Sequence, residues 1–337
     1  MNCSKCSEKA VYHRKWEGSY YCKAHFTESF ERRFLKEIRE NKLVQRGDKI
    51  AVGISGGKDS STLLHLLGKF KEKLGIEVIA LSIDEGIEGY RPETLKAASR
   101  LCEQLGVKHN IASYKEEIGI PLDALPEKLK SDKINWCSWC GVWRRWCLNR
   151  AAKRLGATKL AVGHNLDDEA QSVLMNFMRG DWQHLVGEKS SQNFEDFSGK
   201  GGLPSFEEAP EMQPASAIGG SEHRGTDAIA TSFIPRIKPL RGTAEKETTL
   251  YAVLQGLPFS GAECPHSFDM LRHKVGTMIN DIELESPGTK LQIVATSDKL
   301  RSVIKDERKA ASACGACGEA AAGELCRACE LKAELKI

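Results

Sequence analysis

Ile50-Ala51-Val52-Gly53-Ile54-Ser55-Gly56-Gly57-Lys58-Asp59-Ser60-Ser61-Thr62-Leu63-Leu64 reads as a buried strand that turns, through two glycines, into a helix. Paired glycines let a backbone approach a ligand closely and point N–H groups inward, while the helix N-terminus adds partial positive charge. The turn suits an anion, and phosphate is its natural guest. Neither the Walker A order G-x-x-x-x-G-K-[ST] nor the Rossmann spacing G-x-G-x-x-G is present. An isolated S-G-G-x-D-S is also compatible with an ordinary glycine-rich turn, so its weight depends on what surrounds it.

Outward from this loop the pattern alternates. Residues 77–84, 107–112 and 159–163 read as further strands, and 93–105, 142–155 and 168–178 as helices. Such alternation predicts an α/β fold with a doubly wound parallel sheet and a ligand crevice at the carboxyl ends of its strands. The strand exits Ser55, Asp84 and Gly163-His164 are expected to face one another. A helix carrying Phe30, Phe34 and Ile38 precedes the sheet, and residues 233–241 are extended and basic, with helices expected near 245–256 and 266–285. Between 187 and 232, 17 of 46 positions are Gly, Pro or Ser, which reads as a mobile insertion. The expected organisation is a cysteine-bearing knuckle over 1–28, an α/β domain over 29–186, the insertion over 187–232, the rest of that domain over 233–305, and a second knuckle over 306–337.

A net charge of +3 with 28% charged residues does not by itself announce a nucleic-acid partner. No apolar run approaches the roughly 18 residues of a membrane span, and the first residues lack a signal-peptide core. The expectation is an intracellular, cytoplasmic protein with no membrane partner. Twelve cysteines in such a chain, arranged in C-x-x-C units, argue for metal over disulfides. Cys3, Cys6, Cys22 and His25 have the spacing of one tetrahedral zinc, and Cys314, Cys317, Cys326 and Cys329 form a second set. Each segment is too short for its own core, so metal supplies much of its folding free energy. The competing assignment, two redox dithiol pairs, does not explain four ligands recurring at both ends.

Cys137 and Cys140 have no neighbouring C-x-x-C partner, so a third ligand must come from elsewhere, with Cys264 and Cys147 as candidates. Cys102 falls at an apolar helix position and reads as core. Residues 133–166 hold seven Lys or Arg, no Asp or Glu, and Trp136, Trp139, Trp143 and Trp146. Basic charge binds phosphates and aromatic faces stack on unpaired bases, although a core helix with a solvated face shows the same pattern. Gly163-His164-Asn165-Leu166-Asp167-Asp168 places Asp168 where it either caps a helix or holds Mg²⁺ beside the glycine loop.

Taken together, the terminal knuckles, S-G-G-K-D-S, the central C-x-x-C, G-H-N-L-D-D and Glu263-Cys264-Pro265 resemble the TtcA/TtuA family of tRNA 2-thiolation enzymes. The branch that includes TtuA and the archaeal and eukaryotic cytosolic wobble-uridine thiolases is the more similar one, because it shares both zinc modules. The resemblance implies a PP-loop ATP pyrophosphatase, HUP-like, in which ATP adenylates the C2 oxygen of a tRNA uridine and sulfur then displaces AMP. It implies ATP contacts at Gly53, Ser55, Gly56, Gly57, Lys58, Asp59, Ser60, Ser82, Ile83, Gly163 and Asp168. It further implies a 4Fe-4S cluster on three cysteines, Cys137, Cys140 and Cys264, leaving one iron open to carry hydrosulfide. Asp59, Arg144 and Asp168 take the catalytic positions; Arg144 stands where the family carries lysine, keeping the charge but not the ability to give up a proton. Mg²⁺, two Zn²⁺, a homodimer, and sulfide or a ubiquitin-like carrier as sulfur source complete the expectation, with wobble position 34 favoured over T-loop position 54. Other readings stay open at this point: another PP-loop ligase such as a lysidine synthetase, a persulfide relay without a cluster, or a non-catalytic RNA-binding protein.

Overall fold

A computed structural model describes residues 1–125, 136–181, 234–267, 271–304 and 312–337; the insertion expected over 187–232 lies outside the described residues. The chain opens with an antiparallel ribbon, β1 (Tyr12–Arg14) and β2 (Ser19–Tyr21), and the helix α1 (Lys23–Glu40). β3 (Lys49–Gly53), α2 (Lys58–Leu74), β4 (Glu77–Asp84), α3 (Arg91–Leu105) and β5 (His109–Ser113) alternate next. They are followed by the one-turn α4 (Tyr114–Glu117), α5 (Trp136–Arg154), β6 (Lys159–Val162) and α6 (Leu166–Met178). Then come β7 (Arg236–Ile237), α7 (Glu245–Leu254), α8 (Leu271–Glu285), α9 (Thr289–Val303), the ribbon β8 (Ser312–Ala313) with β9 (Ala320–Ala321), and α10 (Arg327–Leu335).

The central sheet is parallel throughout, in the order β5-β4-β3-β6-β7. Helices cover both faces, which is why the middle strand is apolar on both sides: Ile50, Ala51 and Val52 are fully buried. Ile50, Val52, Val78 and Ala80 face a core shared with α1, α2 and α3, whereas Ala51, Ile79, Leu81 and Ile83 face a second core built with α5. From β3 the chain winds toward β5, and from β6 it winds the opposite way to β7. The switch point therefore lies between β3 and β6, and their carboxyl ends open the crevice. The basic segment near 236 contributes β7 as the fifth strand, with Leu160 N–H bonded to the Pro235 carbonyl at 2.9 Å. α5 begins at Trp136, six positions before the expected start at 142, because Trp139 and Trp143, four apart, form a buried stripe.

Both terminal modules are bolted to this sheet. Phe26, Phe30, Phe34 and Ile38 put four apolar side chains on one face of α1, and Phe30 stacks on Tyr251 of α7 at 4.4 Å; each such burial stabilises by about 1.5–3 kcal/mol. Arg14, 1% exposed, donates from Nε to Glu247 Oε1 at 2.7 Å, and Arg33 reaches the other Glu247 oxygen at 2.5 Å. At the opposite end Trp143 Nε1 of α5 donates to the Ala328 carbonyl at 3.4 Å and Glu319 accepts from Lys153 at 2.7 Å. Removing one partner of a buried pair leaves an uncompensated charge, so Glu247→Ala is expected to destabilise the protein by about 3–5 kcal/mol in denaturant unfolding. A loss below about 1 kcal/mol would contradict this anchoring.

Candidate functional site

The loop after β3 is shaped by close approach. Gly56 has φ +87°, and a Cβ there would fall 2.0 Å from the Thr94 carbonyl oxygen of α3; across the crevice, a Cβ on Gly163 would fall 2.9 Å from Ser60 N. Ser55 N–H donates to Ser60 Oγ at 3.1 Å, and that hydroxyl donates to the Gly57 carbonyl at 3.1 Å. The first turn of α2 is thus held with its free N–H groups at the crevice. Lys58 Nζ lies 3.1 Å from Asp59 Oδ2 and 2.6 Å from Glu245 Oε1.

Gly53, Ser55, Gly56, Gly57, Lys58, Asp59, Ser60, Gly163 and Asp168 accordingly gather at one switch point. Ser82 does not offer its side chain: it is 1% exposed, and its hydroxyl donates to the Ile54 carbonyl at 2.8 Å and meets His109 Nε2 at 2.8 Å. Ile83 is likewise buried, so only the backbone of these two residues remains for a nucleotide. Asp84 turns into its own loop, accepting from Gly86 N–H at 2.9 Å, and Glu85 takes its place at the crevice.

Asp168 both caps a helix and lines the crevice. Asn165 and Asp168 form a reciprocal capping box at the start of α6, while Asp168 Oδ1 meets Arg272 at 3.3 Å. Of its neighbours, Asp167 is buried against Lys290 and Glu169 against Lys238 and Arg241, so those carboxylates serve the fold. Burial raises the Asp59 carboxyl above its ordinary range, Lys58 opposes that, and Asp168 adds to it; Asp168 is raised mainly by burial too. Asp59 Oδ1 is buried without a hydrogen-bond partner among the described residues. An orphaned carboxylate oxygen beside a second carboxylate is a fitting donor set for Mg²⁺.

The cysteines meet at the neighbouring end. Cys137 and Cys140 sit at the start of α5, and Cys264, on the loop after α7, packs against the core that holds Cys140 and is close enough to Cys137 to act on its charge. Burial pushes the Cys137 and Cys140 thiols up; Cys264 and Cys140 raise Cys137 further, and Arg144 opposes the rise in both. Arg144 Nη2 donates to Cys140 Sγ at 3.0 Å, and Tyr114 Oη donates to the Cys140 carbonyl at 2.8 Å. The half-exposed Arg144 guanidinium loses some solvation beside the crevice, but Glu85 and Cys140 outweigh this and raise its pKa. Three thiols converging beside a cation are a fitting donor set for an iron–sulfur cluster. Cys147 is fully buried and pushed up by burial, and Cys102, pushed up to about 11, is core as expected. The base-stacking expectation is corrected for Trp139 and Trp143: they are 3% and 0% exposed and pack edge to face at 5.4 Å. Trp146, half-buried, lies under Arg150 at 4.7 Å.

All twelve cysteines are free thiols. Cys6 Sγ lies 3.7 Å from Cys22 Sγ, and His25 Nδ1 lies 3.4, 3.4 and 3.3 Å from Cys3, Cys6 and Cys22. Zn–S and Zn–N bonds of about 2.3 and 2.0 Å give tetrahedral edges near these lengths. Cys314, Cys317, Cys326 and Cys329 form an equivalent group, with Cys317 and Cys326 sulfurs 3.6 Å apart.

A PP-loop domain family matches residues 26–198, and the N-terminal LIM domain of 2-thiouridine synthetase TtuA matches residues 2–27. tRNA 2-thiolation protein NcsA of Haloferax volcanii is 37% identical over 98% of both chains. The chain belongs to the TtcA/TtuA-like family of tRNA thiolases. Cytoplasmic tRNA 2-thiolation protein 1 of Malassezia globosa is 34% identical, over 98% of this chain and 86% of its own. A solved structure of the U34-tRNA thiolase NcsA from Methanococcus maripaludis with its 4Fe-4S cluster superposes with a TM-score of 0.77 at 32% identity, covering 100% of this chain and 97% of that one.

For this family member, sequence reasoning passed over Glu85, Arg91, Tyr114 and Glu245, although a polar pair directly after β4 was a usable signal for the first. Two expected outcomes follow from the loop. Gly56→Ala should lower the thermal midpoint sharply while Gly57→Ala, whose Cβ would meet nothing closer than 3.6 Å, should not; equal losses would contradict the account. Because the folded Asp59 carboxyl keeps its proton to higher pH than the unfolded one, stability falls as pH rises from about 4 through the folded value. Asp59→Asn should therefore raise the ligand-free thermal midpoint at pH 7, with the gain vanishing below about pH 4; a lower midpoint at pH 7 would refute it.

Proposed function

We propose that this chain is an ATP-dependent tRNA-uridine 2-sulfurtransferase. The uridine C2 oxygen attacks the α-phosphate of ATP, pyrophosphate leaves, and sulfur then displaces AMP from C2. The observation that carries this reading is the tie between the two ends of the crevice: Ser260 N–H donates to the Gly56 carbonyl at 2.8 Å, four residues before Cys264. Activation and sulfur delivery then address the same carbon.

The first turn of α2 and Lys58 receive the departing pyrophosphate, where fixed N–H dipoles and a cation stabilise developing charge without reorganisation. Lys58 must release Glu245 to do so. Asp59 and Asp168 would hold Mg²⁺, which neutralises phosphate charge. Arg144 clamps phosphate and stays charged throughout, so it moves no proton. Cys137, Cys140 and Cys264 would hold the 4Fe-4S cluster, whose iron without a protein ligand supplies Lewis-acid binding of sulfur. Cys3, Cys6, Cys22 and His25, and Cys314, Cys317, Cys326 and Cys329, would each hold a structural Zn²⁺. tRNA is the substrate, with sulfide or a ubiquitin-like carrier as sulfur source, in a cytoplasmic homodimer. Among the described residues no helix is long and apolar enough to cross a membrane. Wobble position 34 is favoured over position 54, supported by the activity named for the Methanococcus maripaludis relative.

Alanine at Cys137, Cys140 or Cys264 should abolish thionucleoside formation and iron binding while two zinc equivalents remain, and Cys147→Ala should keep its iron. Mass spectrometry of digested tRNA should find 2-thiouridine at position 34. Full activity in Cys264→Ala, or sulfur at position 54, would overturn the corresponding assignment.

A further inference from the structure

Glu85, directly after β4, is 3% exposed and has no part in the chemistry above. Its two oxygens serve different partners: Oε1 lies 2.8 Å from Arg144 Nε, and Oε2 lies 2.8 Å from Arg91 Nε. Both contacts are ion pairs, and the second lacks hydrogen-bond alignment. Each arginine uses another nitrogen to reach one end of the crevice. Arg144 Nη2 donates to Cys140 Sγ at 3.0 Å, and Arg91 Nη1 donates to the Ser55 carbonyl at 2.8 Å. The Glu85 backbone is itself pinned, because Leu122 N–H donates to its carbonyl at 2.7 Å.

A buried carboxylate between two guanidinium groups could serve charge balance alone, and such pairs add little net stability. The far contacts point further. A guanidinium is a rigid plane, so an arginine held by charge against Glu85 while an outer nitrogen is hydrogen-bonded elsewhere spans both contacts as one body. One plane is aimed at the phosphate-binding loop and the other at a cluster cysteine. We propose that Glu85 is a positioning residue that couples nucleotide binding at Ser55–Ser60 to the cysteine trio, through Arg91 on one side and Arg144 on the other. The inference rests on the functional reading, in which Cys140 is a cluster ligand. Nucleotide that draws on the loop changes the Ser55 carbonyl, Arg91 and Glu85 follow, and the charged donor at Cys140 Sγ shifts. Hydrogen bonds to ligand sulfurs tune a cluster's electronic state. By linkage, cluster loading must change nucleotide affinity by the same factor that nucleotide changes cluster affinity. The Ser260 to Gly56 bond is a backbone contact that a Glu85 substitution leaves in place, so a Glu85 variant isolates the arginine route.

The test measures binding of a non-hydrolysable ATP analogue to full-length protein with the cluster loaded and with it removed, both zincs retained, and records the cluster's circular dichroism and electron paramagnetic resonance with and without analogue. In the wild-type chain the two affinities should differ by at least about 5-fold and the spectra should shift. In Glu85→Gln, iron content should hold while the affinities converge to within about 2-fold and the spectra stop responding. If Glu85→Gln does not fold, Arg144→Lys, which keeps the charge offered to phosphate but loses the planar fork between Glu85 and Cys140, should give the same convergence. Coupling that survives in the folded variant, or a loaded wild-type chain showing none, overturns the inference alone. A wild-type chain that takes up no cluster overturns the functional reading and this inference with it.

Discussion

The crevice depends on one steric constraint: the backbone at 54–60 lies too close to its neighbours for side chains at 56 and 163. Thr94 of α3 presses on one side and Gly163 after β6 on the other, with a Cβ at these two glycines falling 2.0 and 2.9 Å from opposing backbone atoms. This closeness brings the exits of β3 and β6 to one point at the switch in sheet order. It also leaves the start of α2 facing the Asp168 loop. A phosphate-binding dipole and a pair of carboxylates with raised pKa values thereby share one space.

Buried charge fixes the surroundings. Glu85, Asp167, Glu169 and Glu247 are each nearly inaccessible and each paired with arginine or lysine from a distant part of the chain. Such pairs contribute little to net stability compared with apolar replacements, but each is costly to break from one side. They specify geometry. Glu247 holds the N-terminal module on α7, Asp167 holds α9 on α6, and Glu319, bound to Lys153, holds the C-terminal module on α5. α5 is therefore supported from behind by the C-terminal cysteine module while its first turn presents Cys137 and Cys140.

Much of this was legible in the sequence, for local reasons. Parallel strands buried on both faces are continuous apolar runs, so β3, β4 and β6 stand out, and cysteines separated by two residues advertise metal-binding geometry. The Cys264 partnership with Cys137 and Cys140 came from the family resemblance, since residue spacing alone left Cys147 equally open. Cys147 sits in the core at 0% exposure, whereas Cys264 is half-buried on a loop. Trp139 and Trp143 were ambiguous because an aromatic stripe at helical spacing has one pattern whether it meets a base or a core. Ser82 could not be read either, since its hydroxyl is consumed by Ile54 and His109 from two other elements. For Glu85 only the polarity at the exit of β4 was legible; its pairing with Arg144 of α5 was not.

The central claim is that a uridine oxygen is activated in this crevice and then replaced by sulfur. Its most direct test is a single turnover on tRNA carrying ¹⁸O at C2 of the target uridine, with ATP and sulfide under anaerobic conditions. The account predicts one ¹⁸O in the AMP released for each thiouridine formed. Label appearing in pyrophosphate or in water, with unlabelled AMP, would contradict it.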